Sequence, residues 1–403
     1  MSENKKVRVG LCGAGFAGKF HAYGINRAYG VDAQVSVLCE PNRELAEQVA
    51  AKYGIPRICA DYKDLLNDAS LNVIDLCTPT NMHHVMIEEA LSAGKHVICE
   101  KPLTGYFGEP GDPRLVGEVD RKKMYEVVAS RLGRLREAVK KSGRLFMYAE
   151  NWIYAPAVTK SAEILRASKD KIMLMKADES HSGAHTRLAD EWKNSGGGAL
   201  IRQGCHPLSA VLFLKRTEAA ARGEAYSVRD VYGDVGTALR NLPESERGAI
   251  VARPKDVEDT GMMQLTFGDG TKATVFASDA VPGGIRNTVE VNTTGGNMYC
   301  NICQNNSFIS YAANDETLKD VYVTGNVETK RGYQYVMLEE EWFRGQIQEF
   351  QDFMECVAFD REPLSNIDIA CETAQLMYAA YLSAAEGRKL PFHEQSPANR
   401  TTL

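Results

Sequence analysis

The sequence predicts two domains of different construction: an α/β domain built on a parallel sheet over residues 1–149, and an α+β domain with a large, mostly antiparallel open sheet over residues 150–403. Three observations carry this. Up to about residue 150, short apolar runs alternate with helical patterns, as in a parallel sheet buried on both faces and wrapped by helices. Beyond that point strand-like segments are joined by Gly-containing turns. The chain of 403 residues also exceeds one domain at roughly 150 residues each.

In the first part, strands are expected at Val7–Cys12, Val35–Cys39, Val73–Cys77, His96–Cys99 and Leu145–Tyr148, with helices at Phe16–Tyr29, Arg43–Tyr53, 82–93 and 121–141. In the second, helices at 156–167 and 206–215 surround a strand at 171–180. Strands then follow at 227–235, 260–267, 271–278, 287–294, 297–303 and 307–312. Phe267-Gly268-Asp269-Gly270-Thr271 sets Asp-Gly between two alternating runs, which is a hairpin signal. Amphipathic helices at about 342–359 and 366–387 close the chain. One face of the second sheet carries Val275, Val289, Val291 and Ile309; left uncovered by helices, it is expected to form a subunit interface.

Composition narrows the function. With 44% apolar and 25% charged residues the chain is ordinary globular material, and a net charge of −6 argues against nucleic acid or an anionic membrane as partner. No apolar stretch approaches the 18 residues of a membrane span. Ten cysteines scattered through apolar runs, and a first strand starting too early for a signal peptide, lead us to expect reduced thiols and a cytoplasmic protein.

Gly13-Ala14-Gly15-Phe16-Ala17-Gly18 fits the dinucleotide fingerprint, between a strand and a helix. Gly13 permits the tight turn, Gly15 lets backbone approach a pyrophosphate, and Gly18 lets helix pack on strand. The helix start offers N–H groups to phosphate. Glu40, ending the second strand 22 residues beyond Gly18, is placed to accept from ribose hydroxyls and to repel a 2′-phosphate. That favours NAD over NADP, although Arg43 nearby leaves NADP open.

Two further strings join this one: Cys77-Thr78-Pro79-Thr80-Asn81-Met82-His83 with Gly94-Lys95-His96-Val97-Ile98-Cys99-Glu100-Lys101-Pro102, and Gly196-Gly197-Gly198-Ala199-Leu200 with Gly204 and His206. Together they resemble the Gfo/Idh/MocA family of NAD(P)-dependent oxidoreductases, the glucose–fructose oxidoreductase and inositol dehydrogenase type, over nearly the whole chain. The resemblance implies a Rossmann first domain, assembly through the second sheet, and no metal. It implies Lys101 as catalytic lysine, and the position agrees: a strand's carboxyl end, where open α/β sheets bind ligands. It implies His206 as the second catalytic residue, and Phe16, Ala17, Thr78, Pro79, Thr80, His83, Glu100, Lys101 and Asn151 as cofactor contacts beside the glycines and Glu40.

Departures from the family pattern are as informative. Four residues before His206, where the family places an aspartate, stands Arg202, expected either to bind substrate or to pair with Asp178 or Glu179. Ile153 replaces an arginine in Glu150-Asn151-Trp152-Ile153-Tyr154-Ala155-Pro156, leaving Tyr154 as a substrate contact. Asp178-Glu179-Ser180-His181-Ser182-Gly183-Ala184-His185 ends the strand flooring the cleft, with Glu179, His181 and His185 as candidates for sugar hydroxyls. Cys300 and Cys303 read as sheet residues. A Gly- and Pro-rich insertion at 105–120 emerges beside Lys101, either as a lid, as a subunit contact or as a surface excursion.

The expected activity is hydride transfer between NAD and a hydroxyl-bearing carbon of a sugar, glycoside or polyol, including oxidation at the sugar 3-position with a recycled cofactor. Two alternatives are a glycosidase or epimerase working by transient oxidation, and a non-catalytic NAD sensor. The sensor would have no need of Lys101 and His206.

Overall fold

The computed structural model describes residues 6–184, 186–303 and 307–392. The first sheet is built from β1 (Val7–Cys12), β2 (Ala33–Cys39), β3 (Arg57–Cys59), β4 (Val73–Leu76), β5 (His96–Glu100) and β6 (Phe146–Ala149). All six strands are parallel, in the order β3-β2-β1-β4-β5-β6. This is the doubly wound order whose reversal between β1 and β4 opens a crevice at the carboxyl ends of the strands. The connecting helices are α1 (Phe16–Ile25), α2 (Arg43–Tyr53), α3 (Tyr62–Asn67), α4 (Thr80–Ser92) and α5 (Arg121–Ser142). Local chemistry sets their limits. Asn42 caps α2 by accepting from the Leu45 N–H, and Gly54 ends it in the left-handed conformation. Asp120 and Gly143 do the same for α5.

The second sheet uses β7 (Ile172–Ser180), β8 (Val228–Gly236), β9 (Thr260–Phe267), β10 (Lys272–Ser278), β11 (Arg286–Thr293), β12 (Asn297–Asn301) and, past a separate two-stranded ribbon of β13 (Ile309–Ala312) with β14 (Gly332–Tyr335), the short β15 (Leu390–Pro391). Its order is β12-β11-β7-β10-β9-β8-β15, antiparallel except between β7 and β10. The Asp-Gly turn joins β9 to β10 as expected. The helices of this half are α6 (Pro156–Ser168), α7 (Trp192–Ser195), α8 (Ala199–Arg202), α9 (Cys205–Arg222), α10 (Glu340–Phe343), α11 (Gln346–Phe359) and α12 (Ile367–Glu386).

One sequence expectation is reversed here. Val275, Val289 and Val291 are fully buried, facing the core under α9 rather than a neighbouring subunit, and Ile309 lies outside this sheet, on β13. The outward residues of this sheet form the uncovered face, where Met173, Leu174, Met262 and Tyr299 are exposed among Lys176, Thr288 and Glu290. The period of two located the apolar set correctly but could not say which set the helices cover.

The insertion at 105–120 lies against its own chain. Tyr106 is buried and its N–H donates to the Tyr378 hydroxyl at 2.6 Å, while the Gly117 N–H donates to Asp256 at 2.9 Å. A side chain at Gly117 would collide with the Asp256 carbonyl. The segment therefore straps the first sheet's β5–α5 connection to the second half of the chain. All ten cysteines are free thiols. No helix among the described residues is long and apolar enough to cross a membrane.

Candidate active site

At the crevice mouth the glycine turn has the geometry a dinucleotide needs. Gly13 sits at φ +105°, and any side chain there would strike the Cys77 carbonyl oxygen; one at Gly18 would strike the Gly13 carbonyl. A side chain at Gly15, by contrast, would meet nothing within 4 Å. The turn is thus sealed toward the protein and open on the face where a pyrophosphate would approach. Neither a capping side chain nor an acid occupies the first turn of α1, so its dipole is left for an anion. Glu40 lies against the turn, accepting from the Ala14 N–H at 3.0 Å and from the Asn42 N–H at 2.9 Å. Arg43 is turned to solvent and paired with Glu47, away from Glu40. These residues fit NAD: a carboxylate for ribose hydroxyls, and no cation turned toward a 2′-phosphate.

Thr78, Pro79 and Thr80 leave β4 and begin α4 beside Gly13. His83 does not join them at the mouth. It is buried, with its ring nitrogens 2.9 Å from the Thr78 carbonyl and 3.1 Å from the Pro102 carbonyl, and so pins the two loops that border the site.

Below the turn is a cavity of about 190 Å³ lined by Phe16, Ala17, Phe20, His21, Glu100, Lys101, Ala149, Asn151, His206, Arg344, Gln346 and Glu349. Its first-sheet wall is a buried charge chain. His21 bonds Asp75 through Nδ1 at 2.9 Å and Glu100 through Nε2 at 3.1 Å. Burial opposes its protonation, but Asp75 and Cys77 outweigh that and raise it well above an ordinary imidazole. Burial likewise opposes ionisation of Glu100, yet the His21 bond and charge hold its carboxyl below the usual range. The other Glu100 oxygen accepts the Lys101 N–H at 2.9 Å. The Lys101 ammonium then reaches across to the Arg202 carbonyl at 3.1 Å.

The opposite wall centres on His206, the second residue of α9. Its Nδ1 lies 2.5 Å from Glu150 and its Nε2 4.0 Å from Glu179. Trp152 stacks on the ring, with 5.9 Å between centroids. Burial, then Lys101 and Arg344, lower the imidazole well below its ordinary value. Burial pushes Glu150 well up, and raises Glu179 to about 7. One oxygen of each acid is buried without a partner among the described residues.

The remaining expected contacts divide. Asn151 borders the cavity and donates to the Arg344 carbonyl at 2.7 Å. Tyr154 does not reach it: the buried hydroxyl donates to Asp352 at 2.7 Å and accepts from the Ser365 N–H at 3.0 Å, which makes it a brace between segments. Arg202 presents its carbonyl to Lys101 while its guanidinium pairs with Asp279, neither Asp178 nor Glu179. His181 follows Glu179 at the end of β7 and accepts from the Gly183 N–H at 3.0 Å, with Asp279 3.9 Å away. His185 lies outside the described residues. Cys300 is the buried inward residue of β12, and Cys303 lies just past its end.

Glu150, Cys205 and His206 place potential metal-ligand atoms within 4.8 Å of one another. Burial holds the Cys205 thiol protonated, and the nearby ammonium of Lys101 would repel a metal ion.

Sequence reasoning missed His21, Glu150, Arg344, Gln346 and Glu349. Signals existed for two. His21 lies three residues after Gly18, on the same helical face. Glu349 shares the buried stripe of α11 with Phe350, Phe353 and Val357, where an acid is out of place.

Comparison with known proteins agrees with this construction. Residues 7–110 match the family model described as "Oxidoreductase family, NAD-binding Rossmann fold", and residues 171–299 match the "GFO/IDH/MocA C-terminal domain". The levoglucosan dehydrogenase of Pseudarthrobacter phenanthrenivorans is 27% identical over 322 residues, 74% of each chain. The inositol 2-dehydrogenase of Leifsonia xyli is 38% identical over 104 residues, 26% of this chain and 30% of that one. Among solved structures, GenD2 from gentamicin A biosynthesis in complex with NAD superposes with a TM-score of 0.76 at 22% identity, covering 96% of this chain and 97% of that one. A levoglucosan dehydrogenase in complex with NADH and levoglucosan gives 0.71 at 21% identity, covering 96% and 99%. The chain belongs to the GFO/IDH/MocA oxidoreductase family, with an NAD-binding Rossmann domain followed by the family's C-terminal domain.

Proposed function

We propose that this protein oxidises a hydroxyl-bearing carbon of a sugar, glycoside or polyol, with Lys101 and His206 managing the hydroxyl proton. The observation that carries the reading is that both residues border one cavity with the first turn of the dinucleotide helix. NAD bound at the glycine turn would supply the hydride acceptor. Lys101 would donate a charge-assisted hydrogen bond to the oxygen as negative charge develops on it. His206 Nε2 would take the proton. In the tautomer that donates Nδ1–H to Glu150, Nε2 is the basic atom, and the burial and cations that lower the imidazole keep it unprotonated. Glu150 thus orients the base from behind.

A hydroxylated substrate suits the rest of the wall. His206 Nε2 and Glu179 Oε2, 4.0 Å apart, share positions about 2.8 Å from both, where a hydroxyl oxygen would bond each. Levoglucosan and inositol dehydrogenases among the relatives support the same class. The narrower reading is oxidation of a glycoside at its sugar 3-position with retained cofactor. Product analysis separates it from its neighbours: a 3-keto product supports it, whereas a released aglycone or an epimer without net NADH indicates transient oxidation.

The decisive test is a panel of sugars, inositols and glycosides with NAD and NADP, followed at the reduced-nicotinamide absorbance band. We expect reduction with at least one polyol and a preference for NAD; absence of any reduction or hydride exchange across the panel would favour the sensor reading. We also infer a homo-oligomer assembled through the uncovered face of the second sheet, for which light scattering showing only a 44.4 kDa species is the contrary result.

A further inference from the structure

Arg344, Gln346 and Glu349 belong to no motif used above, yet all three border the cavity beside Lys101. Their placement is fixed by the turn between α10 and α11. Gly345 there has φ +93°, and a side chain on it would collide with the Asn151 carbonyl and the Ala155 N–H. The turn therefore lies directly on the segment leaving β6, clamped by the bond from Asn151 to the Arg344 carbonyl. From this point α11 runs along α1: Phe350 fills the space over Gly24, with its ring 4.6 Å from that of His21. Glu349, one residue earlier, enters the same seam. Only 2% of it is exposed, and its Oε1 has no partner among the described residues; Gln346 is half-buried, with its Oε1 atom likewise buried and unpartnered. Three residues apart on a helix, the two side chains share a face.

Two unpaired acceptors on the wall of a nicotinamide site describe a ligand group with two N–H bonds on one nitrogen. We propose that Glu349, assisted by Gln346, docks the primary carboxamide of the nicotinamide ring and so fixes which ring face turns toward Lys101 and His206. This rests on NAD being the bound dinucleotide. The protonation of Glu349 agrees. Burial pushes its carboxyl well above the usual range; Glu100, Glu150 and Asp75 add to this and His21 opposes it. The neutral acid offers one O–H donor beside one C=O acceptor, and the edge of a primary amide offers the converse pair. A carboxylate in the amide's place would lose that match and add negative charge beside three acids.

The test compares Kd for NAD, for deamido-NAD (carboxylate in place of carboxamide) and for ADP-ribose, by calorimetry without substrate. We expect the wild type to bind NAD at least tenfold more tightly than deamido-NAD. Glu349→Leu should bring the two within about threefold of each other while leaving ADP-ribose binding unchanged. Equal affinities in the wild type, or an unchanged ratio in Glu349→Leu, overturn the inference alone. Failure of NAD to bind the wild type overturns it together with the cofactor assignment. If Glu349→Leu loses ADP-ribose binding and has misfolded, Gln346→Ala decides: a reduced NAD preference supports the docking, and the wild-type ratio overturns it.

Discussion

On the first-sheet wall of the cavity the buried charges are paired in sequence, from Asp75 to His21 to Glu100, with Glu100 holding the backbone of Lys101. Elsewhere around the site, Glu150, Glu179, Gln346 and Glu349 each keep a buried oxygen without a partner among the described residues. A buried polar atom left unpaired costs roughly 1–3 kcal/mol, so folding alone gives no reason to gather four of them around one site. The contrast teaches a division of labour. The first wall is paired within the chain and holds Lys101 in place; in the proposed reading, ligand atoms pair the other four groups.

His206→Ala strikes the centre of the incomplete wall, and turnover should fall by about 10²–10⁴-fold with NAD affinity retained. Steady-state rates paired with calorimetric NAD titration check this. A change confined to KM would place His206 in binding only. Gly345→Ala attacks the geometry that brings Arg344, Gln346 and Glu349 to the cavity. A positive φ and a backbone collision together should destabilise the fold by about 3 kcal/mol, read by chemical denaturation.

Glu179→Gln sharpens the contrast through pH. The folded protein raises this carboxyl from 4.5 to about 7. The stability it contributes is therefore complete below about pH 4.5 and lost as pH rises through 7. At about 1.36 kcal/mol per pH unit, the variant without ligand should gain up to about 3 kcal/mol on the wild type between those limits. Parallel stability–pH curves for the two proteins would contradict it. The smallest effect belongs to the paired side: Glu40→Ala should narrow the NAD-over-NADP preference by about tenfold, about 1.4 kcal/mol, in kcat/KM ratios.

The glycine turn, Glu40 and Lys101 were legible in the sequence, whereas His21, at the centre of the same wall, was not. Gly13, Gly15 and Gly18 form one short string between a strand and a helix, and Glu40 and Lys101 directly follow strands whose apolar runs announce themselves. The strand positions of the second sheet were equally readable at β9 and β10, because alternation and an Asp-Gly turn are local signals. What escaped depends on contacts between distant segments. The Tyr154 hydroxyl is taken by Asp352, about two hundred residues on, and Arg202 pairs with Asp279 rather than with Asp178 or Glu179, which lie closer in the chain. Val275 and its neighbours were assigned outward because alternation defines two faces without saying which one α9 covers. His21 and Glu349 border one cavity only because α11 packs on α1, more than three hundred residues away.

In the proposed mechanism the ammonium of Lys101 acts on the reacting hydroxyl and not on NAD binding. Lys101→Ala, assayed with the best substrate of the panel, separates these directly: nicotinamide reduction and NADH affinity are measured on the same preparation. Turnover should fall by about 10³-fold or more, with the NADH Kd within about threefold of the wild type. Near-normal turnover, or an affinity loss that accounts for the whole effect, would contradict it.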